Sequence, residues 1–209
     1  MKKLIALLLA IMLTAPAWAT AGLGPEEQTK AFVDQVITII RNDQDLQSNG
    51  KTATATEAID RTVLQPRFNF RHMTSLAMGK EWRKASPEQQ ETLVKEFKTL
   101  MVKTYSSALT VYTNPAVTFK KSRFQPTDTE VQIRTQVLQP GRQPADIDYV
   151  LEKLGEEWQV FDVVVAGVSL VTNYRDFFTQ EVRNGGIDGA IKSLQTKNQG
   201  PPPPPAVTP

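Results

Sequence analysis

The chain has 209 residues, with 24 Lys and Arg, 22 Asp and Glu, one His and no Cys. Without Cys no disulfide can staple the fold, so stability must come from a buried core, which a chain of this length can supply in one domain. Removing Lys2 and Lys3 leaves 22 basic residues against 22 acidic ones, so the remainder is neutral and carries no basic footprint for nucleic acid.

Lys2 and Lys3 precede an apolar run from Leu4 to Leu13, and Ala17-Trp18-Ala19 follows as a small-x-small cleavage signal. The run falls far short of the roughly 20 residues that a membrane-spanning helix needs. Residues 1–19 therefore read as a secretory signal peptide, which implies export, most simply to a bacterial periplasm. A single domain is expected over 20–199. Residues 200–209 form a polyproline tail, "GPPPPPAVTP", that offers nothing to a core and is expected to be disordered or extended.

Pro25-Glu26-Glu27 suits the first turn of a helix, because Pro needs no N–H there and the acids face the positive dipole end. Val33, Val36, Ile37 and Ile40 continue it on one face. After a polar loop, Thr54 and Glu57 have capping-box spacing for a short helix that Pro66 is expected to stop. Asn69 is placed to cap a third helix bearing Met73, Leu76 and Trp82. Ser86-Pro87-Glu88-Gln89 then combines an N-cap, Pro at the first helical position and Gln at the third. The apolar spacing after it predicts a long helix through Tyr112, ended by Asn114-Pro115.

Beyond that point the period changes from 3.6 to 2. Val117 and Phe119, then Val131, Ile133 and Val137, then Ile147, Tyr149 and Leu151 alternate with polar neighbours, and "EWQVFDVVV" is apolar on both faces. The expected fold is α+β: N-terminal helices, a four-stranded antiparallel meander and C-terminal helices. Gly155-Glu156 fits a two-residue hairpin loop, which would set Leu151 opposite Val160, Tyr149 opposite Asp162 and Ile147 opposite Val164. A three-residue loop would reverse that parity.

The residues that could carry chemistry are few. Gly185-Gly186 follows a helix and lacks the strand before it and the Lys-Ser/Thr after it that a phosphate cradle needs. It reads as a corner, with Gly185 as a left-handed cap and Gly186 allowing the chain to reverse. His72 stands alone near a helix start, without a nucleophile elbow nearby, and fits a surface or capping role. One His, no Cys and no clustered acids give no metal-ligand spacing. Asp162 is either a hydrogen-bonded structural acid or a general base in a cone-shaped α+β enzyme acting on a small hydrophobic substrate. The broad apolar stripe of Leu170, Val171, Tyr174, Phe177, Phe178 and Val182 fits either an ordinary core, as in a non-catalytic adaptor, or a cavity for an apolar ligand.

Three stretches go further. "FNFRHMTSLAMGKEWRKASPEQQETLVKEFKTLMVKTYSSAL", "EWQVFDVVVAGVSLVTNYRDFF" and "NGGIDGAIKSL" resemble, in order and spacing, the central helices, last strand and closing helices of the MlaC-type family, also called toluene-tolerance auxiliary proteins. Gly79, Trp82, Pro87, Gln90, Phe97 and Tyr105 fit in the first, and Trp158, Asp162, Gly167, Ser169 and Leu170 in the second. Asn69 departs from the acid many relatives carry, and the polyproline tail is peculiar to this chain.

The resemblance implies a monomeric periplasmic phospholipid carrier of Gram-negative bacteria, with no cofactor and no catalytic residue. It would exchange cargo with an outer-membrane lipoprotein–porin complex and an inner-membrane ABC transporter bearing an MCE-domain subunit, maintaining outer-membrane lipid asymmetry. A hopanoid-type cargo is a narrower alternative. Acyl chains would lie in an apolar cavity between sheet and helices. The expected lining is Met73 and Leu76 from the third helix, and Phe97, Met101 and Tyr105 from the long one. The first two strands would add Val117, Phe119, Val131, Ile133 and Val137, and the last two Ile147, Tyr149, Leu151, Val160 and Val164. Val168, Leu170, Tyr174, Phe177 and Phe178 would close it.

Overall fold

The computed structural model describes residues 22–42, 53–109, 115–138, 141 and 143–201. The signal peptide, most of the polar loop after the first helix, the expected end of the long helix at Tyr112 and Asn114, and the tail beyond Gly200-Pro201 lie outside them, as does the Thr54 side chain.

Helix α1 (Pro25–Asn42) starts at the expected proline, with Glu26 and Glu27 in its first turn and Arg41 in its last, each complementing the helix dipole. Helix α2 (Ala53–Ile59) runs into a π-helical turn (Asp60–Leu64) and a short α3 (Gln65–Arg67). Pro66 therefore does not stop the helix. The π-turn shifts the pairing so that the Gln65 N–H donates to the Asp60 carbonyl, five residues back, and the proline meets a ladder already out of α register. The path ends at Phe68, which is extended and makes a parallel bridge to Val160.

Asn69 caps α4 (Phe70–Met78): its Oδ1 accepts the His72 N–H at 3.0 Å. Gly79, at φ 59°, ends α4, so Trp82 falls in a following 3₁₀ turn (Gly79–Lys84) rather than in the helix itself. Helix α5 (Pro87–Leu109) opens on a reciprocal capping box, with the Gln89 N–H on Ser86 Oγ at 3.2 Å and the Ser86 N–H on Gln89 Oε1 at 2.9 Å.

The sheet has five antiparallel strands in sequence order: β1 (Ala116–Phe119), β2 (Glu130–Leu138), β3 (Ala145–Leu154), β4 (Glu157–Val165) and β5 (Val168–Ser169). The fifth, beyond the four expected, is two residues long, too short for any alternation to reveal. Gly155-Glu156 forms the β3–β4 loop, with Gly155 at φ 64°. Leu151 lies opposite Val160 as expected. A bulge then inserts Phe161, and the pairing resumes one residue later, with Val150 opposite Asp162, Tyr149 opposite Val163 and Ile147 opposite Val165. The extra residue moves Asp162 and Val164 off the face they were expected to share with Tyr149, and puts Val163 and Val165 there instead.

Ser169 caps α6 (Leu170–Asn173), accepting the Thr172 N–H at 3.0 Å, and α7 (Arg175–Gln199) follows. Within α7, Gly186 leaves helical geometry at φ 68°, ψ −167°. The left-handed position is thus Gly186 and not the expected Gly185 cap. Before the break the Tyr174 and Phe178 rings pack on Phe97. Afterwards Asp188 receives a hydrogen bond from Gln89, Asn198 donates to the Glu96 carbonyl, and Lys103 donates to the Asn198 carbonyl. The chain thus runs down α5 and back along it, which makes Gly186 the corner of a helical hairpin.

Two hydrophobic clusters result. One joins α4, α5, α6 and α7 around Met73, Leu93, Phe97, Leu100 and Phe178. The other joins α1, the π-turn and the inner face of the sheet around Phe32, Val63, Ile133, Leu151 and Val160.

Candidate functional site

A cavity of about 280 Å³ opens where the two clusters meet. From α1 it takes Phe32, Val33, Val36, Ile37 and Ile40, the i, i+1, i+4, i+5, i+8 positions of one helical face. The α2–π-turn segment contributes Thr56, Ile59, Val63 and Leu64, and the bend into α4 contributes Phe68, Phe70 and Met73. Met101, Val102 and Tyr105 line it from α5, and Pro115, Val117, Val137, Ile147, Tyr149, Val163, Val165 and Leu170 from the sheet and its flanks. Among the described residues, Thr56, Tyr105 and Tyr149 carry the only polar side chains in this wall.

Eight residues of the expected lining stand there: Met73, Met101, Tyr105, Val117, Val137, Ile147, Tyr149 and Leu170. The other twelve lie elsewhere. Phe97, Tyr174, Phe177 and Phe178 form a chain of edge-to-face rings with centroids 5.0–6.5 Å apart inside the α5–α7 cluster, and Leu76 packs against that cluster. Val131, Ile133, Leu151 and Val160 are filled core beneath α1 and the π-turn, with Phe119 against them. Val164 is turned to the opposite face by the bulge, and Val168 is 42% exposed on the edge strand.

The largest contribution missed by the sequence reading is α1 with the π-turn. The α1 spacing is plain in the sequence. Nothing local says that this face meets a void and not a neighbour.

The polar clusters around the cavity are structural in their bonding. Asp162 Oδ1 accepts the N–H groups of Val163 at 2.8 Å and Val171 at 3.2 Å, and Oδ2 accepts the Ser169 hydroxyl at 2.5 Å. The carboxylate thus ties the end of β4 to the start of α6, and does not face the cavity where a substrate would need a base. His72 is half-buried, stacks on Phe161 with centroids 4.7 Å apart, and sets Nδ1 2.9 Å from Glu152 Oε1. The same oxygen accepts the Asn69 side-chain amide at 2.9 Å, so the bulge residue, the α4 cap and β3 are pinned together. Lys98 pairs with Asp60 at 2.9 Å and lies over the Phe70 ring, joining α5 to the π-turn. Burial pushes the Tyr149 phenol up to about 12. Among the described residues no three His, Asp or Glu side chains converge as metal ligands, and no helix is long and apolar enough to cross a membrane.

Residues 30–196 match the MlaC protein family, well over half of the chain. The chain belongs to the MlaC family. It is 28% identical over 140 residues to the intermembrane phospholipid transport system binding protein MlaC of Haemophilus influenzae, a match covering 66% of this chain and 65% of that one. Identity to the toluene tolerance protein ttg2D of Pseudomonas putida is 28% over 114 residues, 54% of this chain and 53% of the other. Both matches span less than two thirds of these relatives' own lengths. The phospholipid-binding protein from Ralstonia solanacearum, solved in complex with a phospholipid, superposes with a TM-score of 0.78 at 32% identity, covering 87% of this chain and 98% of that one. The MlaC-family assignment thus rests on sequence and on fold together.

Proposed function

We propose that this MlaC-family protein is a periplasmic carrier that holds the acyl chains of a glycerophospholipid in the cavity between α1, the π-turn and the sheet, with the headgroup near solvent. The observation that carries this reading is the cavity wall, apolar but for three hydroxyl-bearing side chains among the described residues, in a fold shared with a protein solved bound to phospholipid. Burying a CH₂ group is worth about 0.8 kcal/mol, so about thirty methylenes make unaided escape from a bilayer cost more than 20 kcal/mol. A soluble carrier lowers that cost by offering apolar surface in exchange, and needs no bond-making residue. The hydrogen bonds that occupy Asp162 fit this better than a catalytic base.

The lipid-exchange partners are an outer-membrane lipoprotein–porin complex and an inner-membrane ABC transporter with an MCE-domain subunit, and the traffic maintains outer-membrane asymmetry. The protein acts as a monomer, and its cargo is its only ligand. The test is organic extraction of purified protein followed by mass spectrometry. Near-stoichiometric glycerophospholipid is expected, and delipidation lowers Tm because a ligand bound only by the native state stabilises it by RT ln(1 + [L]/Kd). Protein that is lipid-free and equally stable without lipid points instead to an adaptor with a filled core.

A further inference from the structure

The tail at residues 200–209 has no part in the function proposed above, and the family match ends before it, at residue 196. The structure fixes where it starts. After Gly186, α7 travels beside α5 in the same direction: Asp188 is bonded to Gln89, and Asn198 to the Glu96 carbonyl. Lys103 Nζ then donates to the Asn198 carbonyl at 2.7 Å and to the Gly200 carbonyl, with Pro201 exposed just beyond. Met101, Val102 and Tyr105, the residues by which α5 lines the cavity, are close neighbours of that lysine in the chain. The tail is thus launched at the cavity end of α5 and pointed along it.

Its composition suits an apolar surface better than open water. Residues 200–209 carry no charged side chain and one hydroxyl, that of Thr208, whereas tails that only solvate a chain are rich in charge. Proline has an apolar ring and no N–H, so the run from Pro201 to Pro205 can lie on hydrocarbon without stranding a backbone donor. Its φ is fixed in advance, which lowers the entropy lost on docking. At about 3.1 Å per residue, residues 202–209 can reach about 25 Å, roughly twice the width of a helix. We propose that residues 202–209 fold back from α5 over the cavity toward α1 as a strap, packing proline rings and Val207 against the bound acyl chains and slowing their release. This rests on the carrier reading and adds to it a kinetic control that the cavity wall alone does not supply.

The test loads the full chain, and a variant ending at Pro201, with fluorescent phosphatidylethanolamine and times its release into excess phosphatidylcholine vesicles. The truncated protein should release about tenfold faster, the change given by uncovering about 50 Å² of hydrocarbon. Replacing Pro202, Pro203, Pro204 and Pro205 with Ser keeps the length and should also speed release. Because the chain has no Cys, Val207→Cys can carry a nitroxide at one defined place. That label should broaden the amide signals of Val36 and Ile37 on α1 more than those of Lys95 and Glu96 on α5, a bias that a tail indifferent to the cavity lacks. Equal release from full and truncated protein, or no bias toward α1, overturns the strap and leaves the carrier standing. Broadening that arises only between molecules places the tail on a second copy and overturns the strap as well. Full-length protein that takes up no lipid overturns the carrier reading and the strap with it.

Discussion

The α5–α7 cluster and the α1–sheet half of the molecule are both built from large apolar side chains, yet they use them differently. In the cluster, Phe97 and Phe178 are essentially inaccessible and the Tyr174 and Phe178 rings meet Phe97 edge-on at 5.0–5.3 Å. In the other half, Val36, Ile37, Ile147 and Tyr149 remain half-buried although the cavity wall surrounds them. The aromatic cluster is a closed solid, and the mainly aliphatic wall of α1 and the sheet leaves space. Hydrophobicity alone does not distinguish a core from a cavity. What does is whether the opposing elements meet, and here the α1 face and the sheet leave a cavity between them.

A charge placed in each half should separate the two most clearly. Phe178→Asp puts an unpaired carboxylate among packed rings with no route to water, a cost of several kcal/mol that consumes most of a domain's margin. It should abolish soluble folded protein. Ile37→Asp puts the same group on the cavity wall, where water can enter, and should leave helical circular dichroism intact while emptying the protein of lipid. Fold and lipid content are to be measured on the same samples. Two variants that both unfold would show that the α1 face is ordinary core.

Truncation gives a smaller contrast. Phe97→Ala leaves a hole between Tyr174 and Phe178 that neighbours cannot close, and should cost about 3–5 kcal/mol in urea unfolding. Ile37→Ala enlarges space that already exists, and should cost about 1 kcal/mol while changing the chain lengths that co-purify.

This contrast also marks where the sequence stopped being informative. The caps were legible because each is local: Asn69 reaching the His72 N–H, and Ser86 exchanging bonds with Gln89. The strand order followed from period 2 and from the Gly155 hairpin. The cavity was harder. Parity along β4 was right up to Val160 and then displaced by one, at a bulge whose Phe161 stacks on His72, 89 residues earlier, a contact no local pattern shows. The aromatic run Tyr174–Phe178 drew attention as a ligand wall, but aromatic rings pack well on one another and here fill their own space. Pro66 read as a stop because a π-turn before it has no periodic signature.

Tyr149 supplies a pH test of which group is buried where. Its phenol titrates near 12 in the folded protein against 10 for the ordinary group. Between those values the unfolded chain loses the proton and the folded one keeps it, so this group's contribution to stability should be constant below pH 10 and fall by about 1.4 kcal/mol per unit up to about pH 12. Tyr149→Phe should remove this part of the alkaline fall. The same slope in both proteins would mean that another group carries it.

The smallest effect lies outside both halves, in the β4–β5 turn, and serves as their control. Val165 pairs with Val168, leaving Ala166 and Gly167 as a two-residue loop, and both have positive φ, 49° and 84°. Such a loop matches the twist of its strands but suits Asn, Asp or Gly at the first position, whereas Ala pays for the contact of its Cβ with the backbone. Ala166 is exposed, and its N–H donates to the Asp146 carbonyl at 2.9 Å, a bond that any non-proline side chain preserves. Ala166→Asn should therefore stabilise by up to about 1 kcal/mol, raising Tm by about 2–4 °C. Ala166→Gly should gain less, because glycine also loosens the unfolded chain. Since the turn lines neither the ring cluster nor the cavity, both variants should keep the wild-type lipid content. A rise in Tm accompanied by lost lipid would show instead that the turn, through Asp162 and Ser169, is coupled to the cavity wall at Leu170.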